Sequence, residues 1–354
     1  MREFGSEHPG ILLPDGYFNI LGQYGHTTWL RSGREALHLV ALNLNKNHNK
    51  PVVLMPAYCC HSMVDPFEKA GWRVVYYPLN EDLTANIESL TDLLVTIQPA
   101  AALTMDYYGS ASTLEAVSCI KCGFPDCICI EDFSHCTFSF PSIHNPEVDY
   151  YVSSIRKMVG VCDGSVIISK QPVSEDVVEE GETEFTRARK DYQRLKSKYN
   201  YTQDITQKNV FFPGLKQQEG VLDAFEGVHR ISRMGKAMLE VLNGEQIAYA
   251  RRKNMAHLLE ILGGKVETVP GIQRSLGGAP FALPILVNDR DIVQRRLASK
   301  GVYAPVLWPI CDEARLTCYV SARMADKMLA IPVDQRYSWD DIEDISKIII
   351  SVIS

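Results

Sequence analysis

The sequence predicts an α/β protein with a mostly parallel central sheet followed by a smaller α+β module. The first observation behind this is a set of short apolar runs, PVVLMP (51–56), WRVVYYPL (72–79), AALTMDYY (101–108) and CICIED (127–132). Each is followed by a loop and a stretch with helical spacing, the β-α-β-α-β pattern of parallel strands. The second is a pair of further strand runs, YYVSSI (150–155) and SVIIS (165–169), separated by a loop that holds Arg156, Lys157 and Gly160. The third is length: 354 residues suit one large and one smaller domain, since domains commonly run ~100–200 residues.

Taken in order, RSGREALHLVAL starts a helix at Gly33, with Ser32 as N-cap, Glu35 three residues on, and Leu37, Val40 and Leu44 along one apolar stripe. After the six strand runs the chain turns polar, and EFTRARKDYQRLKSKY has helical spacing with little to bury. A second helical region over 229–262 ends at a Gly stop in ARRKNMAHLLEILGG and forms the long connection between domains. A strand at FALPILV (281–287), a helix at DIVQRRLASKG (291–301) and a final helix capped by Ser338 and Asp341 make up the C-terminal module. The expected division is a large domain over 1–240 and a small one over 241–354.

Composition narrows the function. Hydrophobic residues make up 46% and charged residues 22%, enough to build a real core. A formal net charge of -7 with no long Lys/Arg run offers nothing to a phosphate backbone or an anionic membrane, so neither nucleic acid nor a membrane is an expected partner. There is no run of about 18 uncharged apolar residues, and MREFGSEHPGILLPDG lacks the apolar core of a signal peptide, so a cytoplasmic location is expected. The ten cysteines then read as reduced thiols. Cys119 and Cys122 form one CxxC, while Cys127 and Cys129 sit on one face of a strand as small hydrophobes, so no metal is expected.

Three places carry candidate chemistry. The start of the Gly33 helix has unpaired amides and the positive end of a dipole, and Gly33 lets a ligand approach the backbone, so a phosphate fits there with Ser32 and Arg34 donating. A plain capped helix has the same pattern. Asp132, at the end of a strand in IEDFSHC, lies where parallel sheets gather ligands, with His135 three residues on. Its carboxylate can hold a proton on a heterocyclic nitrogen, or simply cap a turn. Lys157, in SSIRKMVGVCDGS, can form an imine with an aldehyde cofactor when its amine is neutral, or simply face water. Ser153 and Ser154 before it are further hydroxyl donors.

The Ser-Gly helix start, the Asp-x-x-His after a strand and a lysine some 25 residues later together resemble the DegT/DnrJ/EryC1/StrS aminotransferases. The likeness runs over most of the chain, through VVLMPAYCCHSMVDPFEKAGWRVVYYPLNEDLTANIESL, DYYG and RRKNMAHLLEIL. It implies the PLP-dependent transferase (aspartate aminotransferase) fold, pyridoxal 5'-phosphate as cofactor, Lys157 as the lysine that carries it and moves protons, and Asp132 as partner of the pyridine nitrogen. It further implies Ser32, Gly33 and a serine before the lysine, taken as Ser154, around the phosphate, with His135 beside the ring or Asp132. A homodimer with a shared active site follows. The sequence departs from the family at Arg34, where threonine is usual, and at Cys60, where an aromatic stacks on the ring and Tyr58 is the nearest substitute. Tyr108, Trp308 and Arg336 are candidates for the substrate side, Arg336 because its planar fork suits a carboxylate or phosphate. The implied reaction moves an amino group from an amino-acid donor to a nucleotide-linked keto sugar. The alternative is a regulatory protein that binds PLP or a sugar nucleotide without turnover. A nicotinamide oxidoreductase is disfavoured because no GxGxxG follows the first strand.

Overall fold

The computed structural model describes residues 4, 21–45, 51–202, 204, 206, 218, 220–224 and 226–353. Its centre is a seven-stranded sheet in the order β1-β7-β6-β5-β4-β2-β3. The strands are β1 (His26–Leu30), β2 (Val52–Pro56), β3 (Arg73–Tyr77), β4 (Ala101–Met105), β5 (Ile128–Asp132), β6 (Tyr150–Ser153) and β7 (Ser165–Ser169). From β3 through β2, β4 and β5 to β6 every pairing is parallel. These strands are covered on both faces, which is why AALTM is apolar at nearly every position and buried throughout.

Pairing changes sign at β7, which is antiparallel to both β6 and β1. A parallel return needs a crossover of a dozen or more residues. The connection Ser154–Gly164 is too short for one and holds a single 3-10 turn over Ile155–Lys157. The lysine loop is therefore a hairpin connection, its ends fixed by the sheet on both sides. Strand β1, HTTWL, was not foreseen as a strand, because its polar and aromatic residues give no apolar run to read.

Helix α1 (Gly33–Asn45) begins where the sequence places it and buries Leu37, Val40 and Leu44. The strands alternate with α2 (His61–Lys69), α3 (Ile87–Ile97) and α4 (Leu114–Gly123). A short α5 (Phe140–Ile143) precedes β6, and α6 (Glu184–Thr202) is the polar helix read from EFTRARKDYQRLKSKY. A parallel pair, β8 (Val178–Glu179) with β9 (Val228–His229), returns the chain to the sheet. The helical region over 229–262 is two helices, Arg233–Glu240 and Gly244–Leu262. The break is chemical: the Asn243 side chain caps the second helix by accepting from the Gln246 amide at 2.9 Å.

A second, three-stranded antiparallel sheet follows, in the order β10 (Glu267–Thr268), β11 (Ala282–Leu286), β12 (Met328–Pro332). The last helix, Trp339–Ile353, is closed by the expected cap, with the Ser338 hydroxyl and amide both donating to Asp341 Oδ2 at 2.8 Å. Among the cysteines, Cys127 and Cys129 are buried and Cys122 is exposed. Among the described residues no three His, Cys, Asp or Glu side chains are grouped to hold a metal.

Candidate functional site

A cavity of about 240 Å³ lies at the carboxyl ends of the central strands, between the N-termini of α1 and α2, the end of β5, the Lys157 turn and Trp308. It brings together Ser32, Gly33, Arg34, Cys60, Asp132, Ser154, Lys157 and Trp308, which lie far apart in sequence. This is the strand end at which open parallel sheets place ligands.

The α1 wall is held by a buried charge cluster. The Ser32 hydroxyl accepts from the Glu35 amide at 3.3 Å, as an N-cap does, and donates to Glu35 Oε2 at 2.9 Å. Glu35, fully buried, also pairs with Arg31 at 2.6 Å and with His229 Nδ1 at 3.0 Å. Three donors on one carboxylate fix the direction in which the first turn of α1 faces the cavity. Gly33 is required here by close approach, because a Cβ would lie 2.8 Å from the Ser154 Cβ. Opposite, the Ser154 amide donates to Ser134 Oγ at 2.8 Å, and the Ser134 amide to Asp132 Oδ1 at 2.8 Å. Ser134 thus ties the acidic strand end to the lysine turn, and it lines the cavity itself. The sequence reading passed it over; the signal was its place two residues after Asp132, where a short side chain commonly turns back on the backbone. Of the two serines before the lysine, Ser154 faces the cavity, while the Ser153 hydroxyl pairs with Thr137 Oγ1 at 2.6 Å.

Lys157 is half-buried, and its Nζ lies 6.0 Å from the centre of the Trp308 ring. His135 is buried behind it in an aromatic stack, 4.1 Å from Phe281 with the rings almost parallel and 5.4 Å from Trp308. Its Nδ1 accepts from the Tyr108 amide at 3.3 Å and its Nε2 has no partner among the described residues, so it is not bonded to Asp132. Burial first, and then the nearby charge of Lys157, push this imidazole well below its ordinary pKa and keep it neutral.

Tyr58, Tyr108 and Arg336 are three candidates the cavity does not include. Tyr58 does not reach the cavity: it is fully buried, its ring 5.6 Å from Tyr107 and 5.5 Å from Trp308. Cys60, itself buried, lines the cavity instead, with its sulfur 2.8 Å from Ser62 Oγ. Arg34 lines the cavity as expected, and its guanidinium donates to the Leu222 carbonyl and to Asp223 at 2.8 Å, both on the same wall. Arg336 lies outside, clamped by Asp334 at 2.7 and 2.8 Å. Tyr108 is buried in a left-handed backbone conformation with φ 59° and lines no part of the cavity.

A second pair of carboxylates sits on the other side of the same strand ends. Glu131 alternates with Asp132 along β5 and lines, with Asp106, Thr113 and Arg274, a separate cavity of about 490 Å³. Burial pushes Asp106 up to about 7, and burial together with the Asp106 charge pushes Glu131 up to about 8. Both values lie above those of an unfolded carboxyl, so the folded chain holds protons that the unfolded chain has lost. Stability should therefore fall as pH rises from about 4 to about 8, by on the order of a few kcal/mol, and level off above. Denaturant midpoints at pH 5 and 8.5 test this, and Glu131→Gln should flatten the difference.

No family model and no curated protein sequence matches the chain. Solved structures do. An aminotransferase of the DegT DnrJ EryC1 StrS kind from Brucella abortus superposes with a TM-score of 0.65 at 17% identity, covering 95% of this chain and 89% of its own. The chain has the fold of the PLP-dependent aminotransferases. The same fold is found in a putative sugar aminotransferase of Streptococcus pneumoniae in its PMP form, at a TM-score of 0.69, 11% identity and coverage of 99% and 97%. It is found again in Helicobacter pylori PseC, an aminotransferase involved in the biosynthesis of pseudoaminic acid, at 0.67, 13% identity and coverage of 99% of both chains. In this aminotransferase fold the cavity described above occupies the strand ends and the start of the first long helix. No helix among the described residues is long and apolar enough to cross a membrane.

Proposed function

We propose that the chain is a PLP-dependent aminotransferase that moves an amino group from an amino-acid donor to a nucleotide-linked keto sugar, as a cytoplasmic homodimer with a shared active site. One observation carries the reading: a single cavity lined by an amine, a carboxylate, two serines and a helix N-terminus, in Lys157, Asp132, Ser154, Ser32 and Gly33. The residues present fit the cofactor. The α1 terminus and Ser154 would hold its phosphate, with Gly33 letting Ser154 pack directly against the helix start. Asp132 would hold the proton on its ring nitrogen, and the orphaned Nε2 of neutral His135 is a buried polar atom in need of a partner.

When bound, the cofactor supplies an electron sink for the carbon that loses its proton. Lys157 Nζ takes that proton and returns it, and its place in a turn fixed by β6 and β7 limits where it delivers. Trp308 lines the lysine's side of the cavity, its ring centre 6.0 Å from Nζ. In this reading residues 1–240 bind the cofactor, while 241–354 contribute Trp308 and Phe281.

The absence of an aromatic ring at Cys60 and the burial of Tyr58 favour a second reading, a protein that binds PLP without turnover. One experiment separates the two. PLP-loaded protein is given glutamate, glutamine and other amino acids in turn, and conversion to the pyridoxamine form is followed by absorption. Conversion with any donor supports transfer; failure with all of them sinks it in favour of binding alone.

A further inference from the structure

Outside the cavity, the one carbonyl that follows the lysine turn is gripped from two directions. The Met158 oxygen accepts from Arg251 Nη2 at 2.9 Å and from Gln335 Nε2 at 3.0 Å. Arg251 also donates through Nη1 to the carbonyls of Pro280 at 3.0 Å and Phe281 at 3.1 Å, and through Nε to Gln335 Oε1 at 2.9 Å. The guanidinium is almost fully buried, and among the described residues it pairs with no carboxylate; its bonds go to backbone and amide oxygens. Removing a charge this size from water is costly, so the position of those oxygens has to be held closely for the residue to be tolerated.

What the fork joins is informative. Met158 is the residue after Lys157, and Phe281 is the ring stacked on His135. One side chain on the helix Gly244–Leu262 therefore sets both the turn that carries the amine and the aromatic stack behind it, and Gln335, just past β12, closes the loop. We propose that Arg251 and Gln335 are positioning residues for Lys157, acting through the Met158 carbonyl, so that the C-terminal part of the chain controls the direction of the amine. The inference rests on the functional reading above, in which Lys157 is the group that links to PLP.

The test uses the full chain as wild type, Arg251→Lys and Gln335→Met. PLP is added, the link to lysine is trapped with borohydride and located by mass spectrometry, and the rate of trapping is read beside kcat, KM for the donor and the melting temperature without PLP. A displacement of the amine of order 1 Å costs about 10²-fold in rate, so kcat should fall by about that factor in Arg251→Lys and by about 10-fold in Gln335→Met. Trapping at Lys157 should slow in the same order, with KM changed by no more than about 3-fold because no cavity wall is altered. If Arg251→Lys does not fold, Gln335→Met alone decides. Trapping and kcat within twofold of wild type overturn the positioning role, as does a loss that only follows the fraction of folded protein. If wild type itself shows no link at Lys157, the functional reading falls, and this inference with it; a wild-type link with unchanged variants sinks the inference alone.

Discussion

Lys157→Ala should lower amino transfer by about 10³–10⁴-fold or more, since a positioned acid-base group contributes typically 10²–10⁴ and this one also anchors the cofactor. The substitution is expected to leave the fold intact. Lys157 is half-buried, it closes no ion pair among the described residues, and its Nζ lies 6.0 Å from the Trp308 ring centre. The turn around it is held by backbone bonds, from the Lys157 amide to the Ser154 carbonyl and from the Met158 amide to the Ile155 carbonyl, which alanine keeps. The measurement is an absorption spectrum of wild type and variant with added PLP, then a single-turnover reaction with an amino donor. The band of lysine-linked cofactor should be present in wild type and missing in the variant. Equal spectra would remove Lys157 from the site. The removal of Lys157 also takes away a charge that holds His135 neutral, though burial, the larger cause, remains.

Asp132→Asn should cost about 10²–10³-fold in the chemical step, the loss typical of removing one preorganised electrostatic partner. Asparagine keeps the shape and can still accept from the Ser134 amide, now at 2.8 Å from Oδ1. The link through Ser134 to Ser154 should survive, so the variant isolates the negative charge from the geometry. The expected result is near-normal PLP affinity with slow turnover, read as kcat against PLP dissociation constant. A variant with wild-type turnover would show that the carboxylate serves only as a turn cap. Asp132→Ala, by contrast, frees the Ser134 amide and should also loosen PLP binding.

Much of the scaffold could be read directly. The parallel strands announced themselves as apolar runs because strands buried on both faces have no polar side to display. The start of α1 was legible because the Ser32 hydroxyl caps the Glu35 amide three residues on, and the last helix because Ser338 and Asp341 each accept from the other's amide. What escaped was β1, whose HTTWL has no apolar run, and the split at Asn243, where one side chain restarts a helix inside an apparently continuous pattern.

The candidate site divides along the same line. By itself the sequence determined the chemical inventory, an amine at Lys157, a carboxylate at Asp132 and a helix start at Ser32 and Gly33, because each sits at the end of a locally readable element. Only the tertiary structure decided which neighbours face them. Arg34 is drawn to Asp223, Arg336 to Asp334, Tyr58 withdraws behind Trp308, and Arg251 reaches across to the Met158 carbonyl. The physical reason is that a side chain's direction follows the partner that satisfies its charge or buries its ring, and most of these partners lie on distant segments that no local spacing encodes.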